Sequence, residues 1–259
     1  MRFMQRYLKA VEDKKSRLCV GLDPALGEQR NDDVIAERYG DDMLGYCLDI
    51  INATSMHAAA FKINSQYVLF KLTVKELFKL NNAIKDEGCL SILDHKLGDI
   101  KESNQSAFYW IQKAGFDAVT YSPYPGNIKE AVIEAHQKNI GLFTLVLMSN
   151  PQARWIQKDA PGDYPPLYER ISREATRAKS DGLVVGSTDN VRNLDLKRIK
   201  SSSRDDMIYL CPGLGKQKGS IDNIKKILGD NLLVNVGRSI IYDKHPGDKA
   251  DEYKKIIQK

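Results

Sequence analysis

The segment Ser91-Ile-Leu-Asp-His-Lys-Leu-Gly-Asp-Ile100 decides the fold, because in it an apolar, strand-like run ends in charged residues just before a helical segment begins. Side chains alternate across a strand, so we expect Asp94 and Lys96 on one face and His95 on the other. Asp99 follows at the head of the next helix, where the helix dipole favours a carboxylate. The segment thus predicts a strand-to-helix unit in which an acid and a base share one pocket.

The same change from a β-rich run to an amphipathic segment recurs along the chain. Eight candidate strands lie at Leu18–Leu22, Ala58–Ile63, Cys89–Leu93, Ala118–Tyr121, Leu142–Met148, Gly182–Val185, Met207–Leu210 and Leu232–Val236. Apolar residues at helical spacing mark candidate helices at Val74–Lys85, Ile128–Lys138, Leu167–Lys179, Val191–Ile199 and Ile221–Leu228. Strands that alternate with helices predict a parallel sheet.

Eight strand–helix units in 259 residues match the size and count of a (β/α)₈ TIM barrel, an α/β fold. A doubly wound sheet shows the same alternation, but the count favours the barrel. No linker rich in Pro, Gly or Ser divides the chain, and the loop Pro151–Pro166 is long without containing a second domain. We therefore expect a single domain over residues 1–259, with candidate lids after strands five and seven.

The composition is that of a water-soluble globular protein, with 42% hydrophobic and 28% charged residues. The net charge of +5 comes from 39 basic and 34 acidic residues spread along the chain, which indicates a solvated surface and not a nucleic-acid-binding arm. The longest apolar stretch, around 142–148, is far shorter than the ~20 residues of a membrane-spanning helix. We expect neither a nucleic-acid partner nor a membrane partner.

The cysteines and the N-terminus indicate a cytoplasmic protein. The cysteines contain no CxxC pair, and three of the four lie in apolar strand-like runs, where a small buried thiol is the ordinary interpretation; they are Cys19, Cys47, Cys89 and Cys211. The first ten residues interrupt their apolar positions with charge, unlike a signal peptide. These features predict a reducing compartment.

A structural explanation of the charged segment competes with a catalytic one. Asp94 and Lys96 could form a structural ion pair, and Asp99 could simply cap a helix. A second lysine, Lys62, ends the apolar run Ala58-Ala-Ala-Phe-Lys-Ile63, on the strand expected beside Asp94. Catalytic groups collect at the carboxyl ends of barrel strands, so this second lysine favours a catalytic charge cluster.

The pattern of Lys62 and Asp94-His-Lys96-Leu-Gly-Asp99-Ile100 resembles the Lys…Asp-x-Lys-x-x-Asp-Ile signature of orotidine 5′-phosphate decarboxylases. The resemblance extends along nearly the whole chain and is closest to the divergent bacterial-type branch of that family. It implies that Asp23, in Leu18-Cys-Val-Gly-Leu-Asp-Pro24, binds the ribose. It also implies that Ser149, in Leu147-Met-Ser-Asn-Pro151, contacts the pyrimidine after strand five.

Two further segments resemble the phosphate-binding loops of the same family. Cys211-Pro-Gly-Leu-Gly-Lys-Gln-Lys-Gly219 is similar to its Pro-Gly-x-Gly-x-Gln loop, and Val234-Asn-Val-Gly-Arg-Ser239 to its final strand. Glycines let backbone N–H groups approach an anion, and a guanidinium offers a planar fork to phosphate oxygens. The resemblance thus makes Gln217 and Arg238 the residues that grip the phosphate, and it adds Pro212, Gly215 and Gly237 to the substrate-binding residues. Lys216 and Lys218, which flank Gln217, depart from the family pattern.

By the same resemblance, the protein removes CO₂ from orotidine 5′-phosphate to give uridine 5′-phosphate, with no metal and no cofactor. Lys96 would donate the proton to C6 of the pyrimidine, Asp94 would lie close to the departing carboxylate, and Lys62 and Asp99 would complete a formally neutral network. Asp99 and Ser103 would reach into the site of a second subunit, which predicts a homodimer with shared active sites.

Two alternatives remain open from the sequence. A hexulose-phosphate synthase shares the Asp-x-Lys-x-x-Asp strand but uses Mg²⁺, which Lys62 would repel. A catalytically silent phosphate- or nucleotide-binding barrel would need only the loops around Gln217 and Arg238. Other chemistries lack their motifs, since the four histidines are scattered with no metal-ligand spacing and no GxSxG nucleophile elbow occurs.

Overall fold

Eight parallel strands close into a barrel in the computed structural model, which describes residues 2–159, 164–213 and 221–258. Each strand pairs with the next along the chain, and the eighth pairs with the first. The strands are β1 (Leu18–Leu22), β2 (Ala60–Asn64), β3 (Leu90–Leu97), β4 (Ala118–Tyr121), β5 (Gly141–Leu147), β6 (Gly182–Val185), β7 (Ile208–Pro212) and β8 (Leu232–Val236).

Helices follow the strands and surround the barrel. They are α1 (Phe3–Lys14), α2 (Met43–Thr54), α3 (Ser65–Val68), α4 (Val74–Asp86), α5 (Lys101–Lys113), α6 (Ile128–Gln137), α7 (Arg154–Gln157), α8 (Leu167–Arg177), α9 (Asn193–Ser202), α10 (Ile221–Leu228), α11 (Arg238–Ile241) and α12 (Pro246–Gln258). Short 3₁₀ turns lie at Glu37–Tyr39 and Pro151–Ala153. The predicted TIM barrel is therefore confirmed.

Alternate positions along each strand point to opposite sides of the barrel wall. In β1, Leu18, Val20 and Leu22 belong to the large apolar cluster that the helices cover, whereas Cys19 belongs to the cluster inside the barrel. All four cysteines are buried free thiols. Burial raises the pKa of the Cys19 thiol to about 12, which keeps this side chain protonated and inert.

Helix α1 closes the amino-terminal end of the barrel. The Phe3 ring packs edge-to-face on Phe143 at the start of β5, with 5.5 Å between the centroids. Gly141 leaves room for this ring, because a Cβ at Gly141 would lie 2.5 Å from it. The Tyr7 hydroxyl donates to the Leu232 carbonyl at 2.9 Å, so α1 is also tied to β8. The opposite, carboxyl end of the strands remains open to the loops.

Among the described residues, no helix is both long enough and apolar enough to cross a lipid bilayer.

Candidate active site

Two lysines converge on one aspartate at the carboxyl end of neighbouring strands. Lys62 Nζ of β2 lies 2.7 Å from Asp94 Oδ2, and Lys96 Nζ lies 2.7 Å from Asp94 Oδ1. Asp94 and Lys96 of β3 and Lys62 of β2 all face into the barrel. Strands β2 and β3 are paired in parallel, with Asn64 opposite Asp94. The charges predicted from the sequence to share a pocket therefore do so.

Burial and opposite charge act against each other in this cluster, and the charges prevail. Lys62 is only 5% exposed, and burial alone would lower its pKa, but Asp94 and then Asp23 raise it above its usual range. Burial alone would likewise raise the pKa of Asp94, yet Lys62 and Lys96 hold it well below the usual carboxyl range. Lys62 and Asp94 therefore both stay ionised across the neutral pH range.

The chain departs from regular strand geometry at Asp94–Lys96. Leu93 lies opposite Val119 of β4 and Leu97 lies opposite Tyr121, so β3 advances four residues while β4 advances two. Lys96 has a φ of 54°, in the left-handed region that residues with a Cβ rarely adopt. Simple alternation correctly predicted which face carries Asp94 and Lys96, but a bulge in β3 is what presents both to the pocket.

The charge cluster lies at the edge of a cavity of about 170 Å³ with mainly apolar walls. Its lining comprises Lys62, Asp94, Lys96, Thr120, Leu145, Leu147, Met148, Ser149, Val184, Leu210 and Pro212. Ser149 and Pro212, both predicted to bind substrate, are therefore part of this cavity. An apolar wall beside ionised groups strengthens their electrostatic effect on any ligand.

Asp23 and Gly237 lie just after β1 and β8, which are paired, and β1 is also the neighbour of the strand that carries Lys62. Asp23 Oδ1 is buried and has no hydrogen-bond partner among the described residues. Its other carboxylate oxygen faces Gly237, where a Cβ would lie 3.5 Å away. The electrostatic influence of Asp23 on Lys62 brings this carboxylate into the field of the cluster.

Arg238 begins α11 directly after Gly237. Its side chain is 46% exposed, and Nη1 lies 4.0 Å from Asp33 Oδ2, a separation that leaves the guanidinium available to an anionic ligand. Gly215 and Gln217, the other predicted phosphate-binding residues of the β7 loop, lie outside the described residues.

Asp99 and Ser103 do not reach the cavity of their own chain. Both are exposed, and the Asp99 carboxylate accepts a hydrogen bond from the Ile100 N–H at 2.8 Å. Helix α5 begins after Ile100 and has no side-chain cap, so Asp99 is not the helix cap that a structural explanation required. The sequence predicted a neutral network of two lysines and two aspartates. Within one chain only Lys62, Asp94 and Lys96 come together, so the formal charge of the cluster is +1.

His95 points away from the cavity, as the alternation predicts. Its Nδ1 lies 3.2 Å from the Ser65 hydroxyl, and burial, followed by the nearby Lys96, lowers its pKa. Within residues 2–159, 164–213 and 221–258, no group of three or more His, Cys, Asp or Glu side chains could hold a metal ion.

Two polar residues of the barrel interior, Thr120 and Asn235, were not among the residues predicted from the sequence. Thr120 hydrogen-bonds to Asp94, and Asn235 Oδ1 is buried without a partner in the described part of the chain. Gly21 makes room for this amide, because a Cβ there would lie 3.1 Å from Asn235 Oδ1. A polar residue inside the apolar run Leu232-Leu-Val-Asn-Val236 was the available signal.

A TIM barrel with a hydrogen-bonded Lys–Asp–Lys cluster at the carboxyl end of its strands is a barrel enzyme, since this is where such folds place their chemistry. The family model described as "Orotidine 5'-phosphate decarboxylase / HUMPS family" matches residues 16–253. The chain belongs to this family. The predicted family and the predicted enzyme class, a carboxy-lyase, are both confirmed.

Individual relatives agree along almost their full length. The orotidine 5'-phosphate decarboxylase of Leptospira interrogans is 29% identical, with 96% of this chain and 91% of that protein covered. The enzyme of the same name from Cupriavidus taiwanensis is 30% identical, with 96% and 93% covered. The solved structure of Leishmania donovani OMP decarboxylase is 25% identical and has a TM-score of 0.81, with 99% of this chain and 97% of that chain covered.

Proposed function

We propose that this protein decarboxylates orotidine 5′-phosphate to uridine 5′-phosphate, the last step of de novo pyrimidine nucleotide biosynthesis, without a metal or an organic cofactor. The observation that carries the proposal is the Lys62–Asp94–Lys96 cluster at the edge of a mainly apolar cavity. The buried free thiols support a reducing, cytoplasmic setting.

In the proposed reaction, the bond between C6 of the pyrimidine and its carboxylate carbon breaks and CO₂ leaves. The bonding electron pair stays on C6, and the Lys96 ammonium supplies the proton that converts this carbanion into the product C–H. Lys96 then regains a proton from solvent, because its side chain is 41% exposed. An ammonium held where negative charge develops stabilises the transition state.

Asp94 has two roles in this proposal. Its Oδ1 holds the Lys96 ammonium at 2.7 Å, which fixes the proton donor before substrate arrives. Because Asp94 is ionised, it also sets a negative charge beside the departing carboxylate. Lys62 holds the other carboxylate oxygen and offsets the charge of Asp94.

The remaining predicted residues are proposed to bind the parts of the nucleotide that do not react. Ser149 would contact the pyrimidine from the cavity wall, and the unpartnered oxygen of Asp23 would accept a hydrogen bond from a ribose hydroxyl. Arg238 and Gly237, with Gly215 and Gln217, would bind the phosphate at the loops after β7 and β8, where barrels commonly hold phosphate.

We also propose a homodimer in which Asp99 and Ser103 complete the active site of a second copy. Both residues are exposed, Asp99 just before α5 and Ser103 in its first turn, so they are accessible to a neighbouring chain. A carboxylate supplied by a second copy would bring the charge of the cluster from +1 to zero.

The hexulose-phosphate synthase alternative is disfavoured by one contact. Lys62 Nζ lies 2.7 Å from the Asp94 oxygen that a Mg²⁺ ion would need, so an ammonium already occupies the cation position.

Incubation with orotidine 5′-phosphate, with and without EDTA, separates the possible functions. We expect loss of orotidylate absorbance at the same rate in both samples. A reaction that stops with EDTA and returns with Mg²⁺ would favour the synthase chemistry. Saturable binding of orotidylate or uridylate with no turnover would identify a silent binding protein.

A further inference from the structure

Thr120 occupies a singular place in the barrel. Thr120 is the β4 residue between Val119 and Tyr121, which pair with Leu93 and Leu97 of β3. It is therefore the β4 residue that faces the bulge formed by Asp94–Lys96. Thr120 is 1% exposed and points into the cavity that the charge cluster borders.

The Thr120 hydroxyl connects the two reacting residues of the bulge. It donates to Asp94 Oδ1 at 3.0 Å, and it accepts the backbone N–H of Lys96 at 2.9 Å. A hydroxyl has one proton and two lone pairs, so it can make both bonds at once, whereas a methyl group can make neither. One side chain therefore fixes the carboxylate of Asp94 and the backbone of Lys96 together.

We propose that Thr120 is a positioning residue that holds the Lys96 ammonium in the geometry required for proton transfer. The proposal rests on the proposed function, because it gives a role in that reaction to a residue that does not itself react. Its basis is the pair of hydrogen bonds across the bulge.

The backbone of Lys96 makes this support necessary. Its φ of 54° is sparsely populated by residues with a Cβ, and such a conformation persists only where surrounding contacts hold it. The bond from the Lys96 N–H to Thr120 is such a contact. Without the Thr120 hydroxyl, the Lys96 N–H loses this hydrogen bond and the bulge relaxes. The Lys96 ammonium then moves relative to C6 of the substrate. A displacement of about 1 Å can lower a rate by about 10²-fold.

The test compares Thr120→Val, which keeps the shape of the side chain and removes the hydroxyl, with Thr120→Ser, which keeps the hydroxyl. For decarboxylation of orotidylate, we expect Thr120→Val to lower kcat by roughly 10- to 100-fold, the range for a lost hydrogen bond to a charged group. KM should change little, because the phosphate and ribose contacts are untouched. Thr120→Ser should restore kcat to within about threefold of wild type.

Thr144→Val is the matched control. Like Thr120, Thr144 is a buried threonine in a strand, and its hydroxyl is hydrogen-bonded, with 3.0 Å between Thr144 Oγ1 and Ser180 Oγ. Unlike Thr120, it does not line the cavity beside the charge cluster. Both Thr144→Val and Thr120→Val should lose some stability, because each removes a buried hydrogen-bonded hydroxyl. Thr144→Val should keep the wild-type kcat. A similar fall in kcat in the control, or failure of Thr120→Ser to rescue, would overturn the proposal.

Amide hydrogen exchange of Lys96, followed by NMR, tests the same contact without substrate. Exchange should be faster in Thr120→Val than in wild type and near the wild-type rate in Thr120→Ser, because the hydroxyl accepts a hydrogen bond from this N–H. If wild type does not decarboxylate orotidylate, the proposed function fails and Thr120 is judged on this measurement. Unchanged exchange in Thr120→Val would then refute the positioning role, as would a kcat within about threefold of wild type in an active enzyme.

Discussion

Replacing Asp94 with asparagine should damage both stability and turnover, because three donors depend on this carboxylate. Lys62 binds Oδ2, while Lys96 and Thr120 bind Oδ1. An amide has one acceptor oxygen and an NH₂ group that is only a donor. If its oxygen faces Lys96, its NH₂ faces the Lys62 ammonium at a position where the wild type has a 2.7 Å bond.

The size of the stability loss follows from the burial of Lys62. This lysine is 5% exposed, and removing one partner of a buried ion pair costs about 3–5 kcal/mol. For catalysis, two charge-assisted hydrogen bonds to lysines are lost or weakened, and each contributes about 1.5–3 kcal/mol. A loss of at least about 3 kcal/mol in the transition state corresponds to a fall in kcat of roughly 10²-fold or more.

The stability loss should shrink as the pH rises. In wild type the folded pKa of Lys62 lies above its unfolded value of about 10.4, so its stabilising contribution is complete below that pH and is lost only as the pH rises through the folded pKa. In Asp94→Asn, burial is the dominant influence and lowers the folded pKa below the unfolded value. The variant therefore gains stability as Lys62 deprotonates, and the difference in unfolding free energy between variant and wild type narrows as the pH rises toward the unfolded pKa of about 10.4.

Urea unfolding of wild type and Asp94→Asn at several pH values measures this difference. Asp195→Asn is a matched control, because Lys158 Nζ lies 2.7 Å from Asp195 Oδ2 and both side chains of this pair are buried, at 7% and 1% exposure. It should lose similar stability and keep the kcat of the folded fraction. The reasoning is refuted if Asp94→Asn is as stable as wild type at neutral pH, if the difference is independent of pH, or if kcat falls by less than about tenfold.

Three further outcomes are expected. Lys96→Ala should nearly abolish decarboxylation with an unchanged circular dichroism spectrum, because a side chain that is 41% exposed contributes little packing; near-normal turnover would exclude it as proton donor. Mixing Lys96→Ala with Asp99→Ala should regain activity after subunit exchange, since one site of a mixed dimer would be intact, and activity that stays near zero would place Asp99 in its own subunit's site. Arg238→Ala should lower kcat/KM for orotidylate by about 10²-fold or more, which corresponds to about 2.7 kcal/mol of transition-state stabilisation. The same variant should have little effect on the phosphate-free nucleoside. A change within about threefold on orotidylate, or an equal loss on the nucleoside, would exclude the phosphate contact.

The strand pattern could be predicted where both faces of a strand are apolar. The predicted bounds of β1, β4, β6 and β8 agree with the structure, because charged or turn residues flank these buried runs. The predicted β3 ended at Leu93, four residues before its observed end at Leu97, because the charged side chains were interpreted as the end of the strand. Here the residues that carry chemistry replace the apolar pattern from which strands are recognised.

The site was only partly accessible to sequence reasoning. Strand pairing predicted that Lys62 would meet Asp94, and alternation predicted the common face of Asp94 and Lys96. The bulge could not be predicted, because it depends on a register shift between β3 and β4 that no local pattern records. Thr120 went unnoticed because a lone threonine is an ordinary strand residue, and its meaning comes only from what lies opposite.

The left-handed backbone at Lys96 sets the needs of the fold against those of the reaction. A glycine would adopt a φ of 54° without a steric cost, so the backbone at this position favours a residue without a side chain. Relief of this backbone strain alone would therefore favour removal of the proposed proton donor, and selection for turnover would retain it. Lineages that lose the need for the reaction are expected to drift toward glycine here, and a glycine at this position in a related sequence would mark a barrel kept for some purpose other than catalysis.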